Sequence, residues 1–363
     1  MLSICTGNAL CASADTLRQT SFADRLLQLD WPVAGVPVVG YAPETGWELG
    51  AAVAAFFPAG DAERRSYMQV SGAWTTQRQW YVSLSSNLYL PRGWFMLVRG
   101  GYRDYPDSWY GIGNDIKGHL AAERYASRRG TFTLQPQYRL PLHWSIGLHV
   151  HFLWEDIYKR PEVETPSSLP SSVSPTVLWG LGPVVQYDTR DELYYPRRGL
   201  FFKAVGAYYG SESGSTARVG RISADLRQFV PLYKDLIFAW QFSGDVALGK
   251  DKPFQLLPTL GGQDLVRGVR RNMFRDDVAL ALQAELRIPV WSLLKATVFA
   301  GVGDVYNLAD WRWAVPKVGY GAGVRACFNK AKIHLRFDVA RSNVNPSWRL
   351  DGWSFYFTCT EAF

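Results

Sequence analysis

The sequence predicts an all-β fold, a 16-stranded antiparallel transmembrane β-barrel that occupies residues 35–363. Three observations predict it. From about Val36 onward the chain divides into sixteen amphipathic stretches of strand length, their connections alternate between short and long, and the C-terminal residue, Phe363, is aromatic. Bacterial outer-membrane barrels combine an even number of antiparallel strands with short turns on one side and longer loops on the other. A closed barrel also leaves no unpaired backbone edge in lipid.

The predicted connections fall into two classes. Short connections are expected at 58–65, 90–93, 140–143, 231–235, 289–293 and 329–332. Longer ones are expected at 105–123, 158–176, 210–217, 249–275, 306–316 and 342–352. In an outer-membrane barrel the short turns and both chain ends lie on the periplasmic side, and the long loops lie outside the cell.

A two-residue period supports each predicted strand. Between Trp144 and Trp154, one face carries Trp144, Ile146, Leu148, Val150, Phe152 and Trp154, and the other carries Ser145, Gly147, His149, His151 and, just beyond, Glu155. The same division recurs at 80–90, 278–288 and 333–339. Alternation over this length indicates strands rather than helices. A soluble sandwich or propeller also alternates, but strands of ten residues exceed the usual five or six and fit a tilted membrane span.

Composition agrees with a barrel and excludes several other classes of protein. The 363 residues are 15 % aromatic, the mean hydropathy is −0.12, and no stretch approaches the ~20 apolar residues of a transmembrane helix. The net charge of +7 is spread along the chain, whereas a nucleic-acid-binding protein would need a clustered basic face. The excess cations are expected to line the lumen or to contact lipopolysaccharide and outer-membrane lipids.

Neither a metal site nor an enzyme active site is predicted. Cys5, Cys11, Cys327 and Cys359 show no spacing typical of a metal site or a disulfide framework. His149 and His151 share a lumenal face, where hydrated side chains are a better interpretation than metal ligands. The sequence contains no lipase nucleophile elbow and no paired carboxylates on one strand face, so no cofactor and no catalytic residue is expected.

The N-terminal region is expected to precede the barrel. Residues 1–14 are interpreted as a signal-peptide remnant, because Ala12-Ser13-Ala14 is a small-x-small cleavage site. Residues 15–34 form an N-terminal segment with a predicted short amphipathic helix. Ser21 can cap that helix, and Phe22, Leu26 and Leu29 follow at helical spacing. A disordered segment is the alternative.

Several motifs together resemble one known family. The run from Gly261 and Gly262 through Val266-Arg267-Gly268-Val269, and the strand after it, resembles the sixth extracellular loop of the BamA/TamA superfamily, also called the bacterial surface antigen group. That family carries a Val-Arg-Gly-Phe/Tyr element there. Other matches follow in the family's order: a turn with Asp188, Arg190, Pro196 and Gly199, strands at 299–306 and 319–325, and Asp338 in the penultimate strand. The resemblance covers the whole barrel.

The resemblance implies that the sixth loop folds into the lumen and that Arg267 anchors it. A desolvated cation needs a carboxylate partner, and Gly268 permits close approach of the backbone to the wall. In the family the matching arginine pairs with acids on the next two strands. One of those positions is Glu285, but the other is Gly301, so Glu285 is predicted to be the dominant partner. The alternative is an exposed arginine in a surface loop.

The last strand resembles the signal that the assembly machinery reads during barrel insertion. Its apolar positions include Phe355, Phe357 and the terminal Phe363. Removal of Phe363 is therefore expected to slow insertion into the membrane.

The resemblance leaves three functions open. Assembly factors of the superfamily carry POTRA modules ahead of the barrel, and the chain is interpreted as a member that lacks them. The first function is insertion or export of partner polypeptides, with client binding supplied by a periplasmic or lipoprotein partner. A weak seam at the first strand, which holds Gly35, Pro37 and Gly40, would be its physical basis. The others are a structural or surface-antigen subunit of a larger complex and a small-solute pore, which an inward loop disfavours.

Overall fold

A computed structural model describes most of the barrel. It covers residues 33–42, 46–60, 65–117, 122–159, 169–170, 175–193, 195–291, 294–327, 334–345, 347 and 352–358. The predicted signal segment, the predicted N-terminal helix and Phe363 lie outside these residues, as does the side chain of Phe357. Within the described ranges, no helix is both long and apolar enough to span a membrane.

Sixteen strands pair antiparallel in chain order, which confirms the predicted fold class. They are β1 (Val33–Ala42), β2 (Gly46–Phe57), β3 (Ser66–Thr75), β4 (Trp80–Tyr89), β5 (Trp94–Trp109), β6 (Glu123–Arg139), β7 (Trp144–Lys159), β8 (Thr176–Asp188), β9 (Gly199–Tyr209), β10 (Val219–Tyr233), β11 (Leu236–Leu248), β14 (Val278–Pro289), β15 (Leu294–Tyr306), β16 (Lys317–Cys327), β17 (His334–Ser342) and β18 (Ser354–Thr358). The two-residue strands β12 (Thr259–Leu260) and β13 (Phe274–Arg275) form a separate ribbon.

The strands bury their polar face and expose their apolar face. In β14, Gln283 and Glu285 are 3 % and 1 % exposed, whereas Leu282 between them is 49 % exposed. In β7, Ser145 is buried, whereas Ile146 and Leu148 are exposed. A water-soluble sheet would do the reverse, because burial of apolar area is what stabilises it. An exposed apolar band around a polar interior is the arrangement of a barrel in lipid.

Consecutive connections lie at opposite ends of the barrel, and the longest, such as 249–277, share one end, where the short connection 76–79 also lies. We call the end with the connections 58–65, 90–93, 140–143, 189–198, 234–235, 290–293 and 328–333 the turn end, and the opposite end the loop end. At the loop end, the predicted loop 105–123 is shorter than expected, because β5 continues to Trp109 and β6 begins at Glu123. Backbone pairing persists there although the apolar alternation has ended, since strand ends beyond the lipid need no apolar face.

The connection between β11 and β14, residues 249–277, folds into the lumen, and we call it the inward loop. Its Phe254, Leu256 and Leu257 pack in one buried cluster with Trp109, Tyr125, Leu153, Leu178, Tyr209, Val219 and Ala247 from seven strands. A second cluster joins its Leu260, Val266, Val269, Met273 and Phe274 to Ala279, Ala281 and Val305. The inward loop therefore packs between nearly opposite walls of the lumen at its loop end.

Candidate functional site: the loop latch

One glycine of the inward loop and one of the wall bring the loop backbone directly against the barrel wall. Gly268 has a φ of +105°, and a Cβ added there would lie 2.3 Å from the Arg341 carbonyl oxygen. A Cβ on Gly319 in β16 would lie 2.1 Å from the carbonyl oxygen of Arg267. Any side chain at these positions would push the loop off the wall. The Gly268 N–H also donates to the Tyr356 hydroxyl of β18 at 3.1 Å.

Arg267 lies at the centre of this contact and is 2 % exposed. One of its terminal nitrogens donates to Glu285 Oε2 at 2.9 Å, and the other donates to Asp338 Oδ2 at 2.7 Å. Its guanidinium carbon stands 3.5 Å from the centre of the Phe299 ring. The cation is thus held by two carboxylates on different strands and by the face of an aromatic ring, which also attracts cations.

Three more arginines complete an ion cluster, which we call the latch. Arg287 donates its Nε to Glu285 at 2.8 Å, and Arg325 donates to Asp338 Oδ1 at 2.5 Å. Arg336 approaches Asp338 at 3.5 Å. Each of the three is fully buried, as are both carboxylates. Four guanidinium groups therefore share two carboxylates, and each carboxylate is bound by more than one cation.

The second carboxylate of the latch is Asp338, which the sequence did not assign to Arg267. Gly301, where the family has its second acid, instead leaves room for the loop, since a Cβ there would lie 3.5 Å from the α-carbon of Val266. Asp304, an acidic residue near Gly301 on the same strand, instead accepts a hydrogen bond from Lys317 Nζ at 2.6 Å. Arg267 thus contacts both carboxylates, Glu285 at 2.9 Å and Asp338 at 2.7 Å, and the dominance of Glu285 stays a prediction.

The turn motif at 188–199 connects to the latch from the turn end. Arg190 binds Asp188 in a two-pronged contact of 2.9 Å and 3.0 Å. The carbonyl oxygen of Pro196 accepts a hydrogen bond of 3.1 Å from Arg287. Gly199 has a φ of +112°, and a Cβ on it would lie 2.4 Å from the Thr189 carbonyl oxygen. Arg287 thus links this turn to Glu285 and, through it, to the inward loop.

The remaining predicted residues lie apart from the latch. Gly262 has a φ of +119° and closes a turn of the inward loop by donating its N–H to Val269 at 3.0 Å. Phe355 is 57 % exposed on β18, as an outward-facing residue. Sequence reasoning placed Phe299 and Arg325 in the motif strands 299–306 and 319–325 but assigned neither of them, nor Arg336, to the latch. The two-residue alternation of β17 could have identified Arg336, because it lies on the same polar face of that strand as Asp338.

The latch is suited to holding the inward loop in one position. Among the described residues, no group of three or more His, Cys, Asp or Glu side chains could hold a metal ion. Burial of six charged groups is favourable only when each finds partners, and removal of one partner from a buried pair is costly. The arrangement therefore fixes one loop position, and any other position must supply new partners for these charges.

Comparisons with known proteins agree with the fold. The Omp85 superfamily domain matches residues 65–363. BamA from Haemophilus ducreyi lacking POTRA domains 1–3 is similar in structure, with a TM-score of 0.58 and 15 % identity over 90 % of this chain and 69 % of that one. CdiB from Acinetobacter baumannii matches with a TM-score of 0.58 and 15 % identity, over 90 % of this chain and 58 % of that one. CdiB from Escherichia coli matches with a TM-score of 0.59 and 13 % identity, over 90 % of this chain and 62 % of that one. No curated protein matches significantly.

Proposed function

The chain belongs to the Omp85 superfamily, and from this premise we propose that it is an outer-membrane barrel that aids the insertion or export of partner polypeptides. The observation that carries the proposal is the inward loop, which is held in the lumen by a fully buried ion cluster. In this proposal the turn end and both chain ends face the periplasm, and the outward apolar band contacts outer-membrane lipids and lipopolysaccharide.

The latch joins the loop to the part of the wall where a polypeptide would be handled. Arg267 binds β14 and β17, and Gly268 binds Tyr356 on the last strand, β18. The first strand contains glycines and Pro37, and proline cannot donate to a strand ladder. β1 and β18 stand at the two ends of the described strand order, so the seam between them is where the wall would open for a client. Movement of β18 would be sensed by the inward loop through Tyr356.

The filled lumen favours polypeptide handling over passive diffusion of solutes. Apolar side chains of the inward loop occupy the loop end of the lumen and contact strands from β5 to β11. A diffusion pore needs a continuous polar path instead. In the proposed function a periplasmic or lipoprotein partner brings the client, and the barrel supplies the membrane passage or the template strand.

A depletion experiment in the native host tests this function. The expected result is that depletion removes a defined set of proteins from the outer-membrane fraction or from the medium, measured by quantitative mass spectrometry. The wild-type chain should restore them, whereas Arg267→Ala should restore them poorly. Arg270→Ala is the matched control, because Arg270 lies in the same loop and is exposed. An unchanged protein inventory after depletion would contradict the proposal and favour a structural subunit of a larger complex.

A further inference from the structure

Below the inward loop, the lumen contains a polar cavity of about 800 Å³ that extends to the turn 189–198. Its lining comes from strands β2 to β11 and includes side chains from that turn, among them Arg190 and Pro196. Small-molecule sites commonly have volumes of about 300–1,000 Å³, so this cavity is large enough for a small ligand. The latch does not use this space.

Cationic side chains outnumber anionic ones in the lining. Five cations and three carboxylates face the cavity, which gives a formal excess of two positive charges when the histidines are neutral. The cations are Arg99, Arg190, Lys203, Arg221 and Arg227, and the carboxylates are Asp188, Asp225 and Asp245. The three carboxylates are each engaged by one arginine. Asp188 binds Arg190, Asp245 binds Arg221 at 2.5 Å, and Asp225 binds Arg227 at 2.5 Å.

Lys203 and Arg99 account for the excess. Within the described part of the chain, neither has a carboxylate oxygen within 4.0 Å. Lys203 Nζ donates to Gln135 Oε1 at 2.6 Å, so it retains donors for another acceptor. Arg99 is exposed to the cavity and repels Lys203 electrostatically. Asp264 of the inward loop attracts Arg99 electrostatically. The Asp264 carboxylate pairs instead with Arg336, at 3.8 Å.

A polar relay extends from Lys203 along one wall of the cavity. Gln135, which accepts from Lys203, lies 2.8 Å from His149 Nδ1 through its amide nitrogen. The His149 ring stacks on His151 with 6.0 Å between centres, and His151 Nδ1 lies 2.8 Å from the Tyr209 hydroxyl. These contacts fix Gln135 and hold the Lys203 ammonium in place, so the cation is preorganised at the cavity surface.

We propose that this cavity binds a small soluble anion of the phosphate type, held between Arg99 and Lys203. A dianionic phosphate or phosphomonoester balances the excess of two positive charges. The planar guanidinium and the ammonium group are the two side chains that proteins use most to bind phosphate oxygens. The volume also leaves room for an organic substituent beside the aromatic lining, which includes Tyr67 and Phe201.

The geometry favours a soluble ligand over a lipid head group. Strands β2 to β11, which carry the lining, are hydrogen-bonded to one another without interruption. A lipid in the bilayer therefore has no lateral entry to Arg99 or Lys203 through this wall. The lining reaches the turn 189–198, so the turn end offers a soluble ligand a route of entry.

Phosphate titration of the full-length chain in lipid nanodiscs tests the proposal. Binding of inorganic phosphate, and of phenyl phosphate as an organic probe, would be measured by isothermal titration calorimetry in chloride buffer. Loss of one charge-assisted contact is expected to weaken binding about 10-fold or more, in Lys203→Gln and in Arg99→Gln alike. The double variant should show no saturable heat. Arg78→Gln, which changes an exposed arginine in the β3–β4 turn, should bind as the wild type does.

The same preparations distinguish the possible outcomes. Heat-modifiable migration in gels would establish that each variant is folded, so that lost binding reports the site. Absence of saturable binding to the folded wild type, or equal affinity in the folded double variant, would overturn the proposal. Native mass spectrometry would show whether a phospholipid co-purifies in an Arg99-dependent manner, and that result would overturn the soluble source.

Discussion

At the scale of single residues, removal of the Arg267 cation and removal of a latch carboxylate should destabilise the protein to different extents. In Arg267→Ala, Glu285 retains Arg287 at 2.8 Å and Arg325 at 3.5 Å, so no carboxylate is left alone. We therefore expect a loss of about 1–3 kcal/mol, concentrated in the inward loop. Glu285→Gln instead removes the charge of one of the two carboxylates that the four buried arginines share, and we expect about 3–5 kcal/mol for the whole barrel.

Two measurements on the same samples check this ordering. Urea unfolding titrations in lipid vesicles report the free energy of unfolding of the barrel, and amide hydrogen exchange reports the inward loop. Greater loop exchange in Arg267→Ala with near-normal barrel stability is the expected pattern. Equal or larger barrel destabilisation by Arg267→Ala than by Glu285→Gln would refute the assignment of roles.

A glycine pair separates backbone strain from contact with the wall. Gly268→Ala and Gly214→Ala both place a side chain at positive φ, of +105° and +84°, which costs about 1–2 kcal/mol for a non-glycine residue. At Gly214 nothing lies within 4 Å of the added Cβ, whereas at Gly268 it meets backbone at 2.3 Å. Only Gly268→Ala should raise hydrogen exchange in the inward loop. Equal exchange in both variants would show that the loop does not press on the wall there.

The latch shows which contacts a sequence can predict. The pairing of Arg267 with Glu285 followed from an Arg-Gly step in a long loop, from the inward phase of β14 and from the family resemblance. The contact with Asp338 did not, because it depends on curvature that brings β14 and β17 to the same side of the lumen. Gly301 could be interpreted only as a missing acid until the structure placed Val266 against it.

At the scale of elements, the face of the strand on which a residue lies determines how much a charge introduced there lowers the stability of the barrel. Leu282 lies near the middle of β14 and is 49 % exposed on its outward side, so Leu282→Arg should cost about 2–4 kcal/mol in vesicles. Leu308→Arg is the matched control, because Leu308 is 46 % exposed but lies in the connection 307–316 beyond the strands. Unfolding titrations should show a loss for the first variant and little for the second. Equal stability of the two would mean that Leu282 does not face lipid.

The strands themselves were predictable from alternation, and their ends were less so. The period of two located β7 and β14, because lipid on one side and polar lumen on the other impose opposite side chains. Where β5 and β6 continue past the apolar band to Trp109 and Glu123, both faces meet polar surroundings and the period no longer marks the strand. The connection 76–79 is only four residues long, yet it lies at the loop end. The length of a connection alone therefore does not identify the end of the barrel at which it lies.

At the scale of the whole molecule, the barrel is divided along its axis. The inward loop, with its two apolar clusters, packs in the lumen at the loop end, and the latch ties it to β14, β16 and β17. The cationic cavity occupies the part nearer the turn end. A client that passed through the lumen would have to displace the inward loop, whereas a client inserted at the wall would not. The fixed or mobile state of the loop therefore distinguishes export from insertion.

A single cross-linking measurement tests most directly whether the inward loop occupies the lumen. The geometry at Gly301 places its α-carbon and that of Val266 no more than about 5 Å apart, within the range of disulfide-linked residues. In a chain whose four native cysteines are serine, V266C/G301C should cross-link in intact cells, whereas V266C/L308C should not. The position of the disulfide would be read by mass spectrometry of peptides. Free thiols at both positions in folded V266C/G301C barrels, open to a bulky maleimide added from outside, would contradict the structure described for the loop.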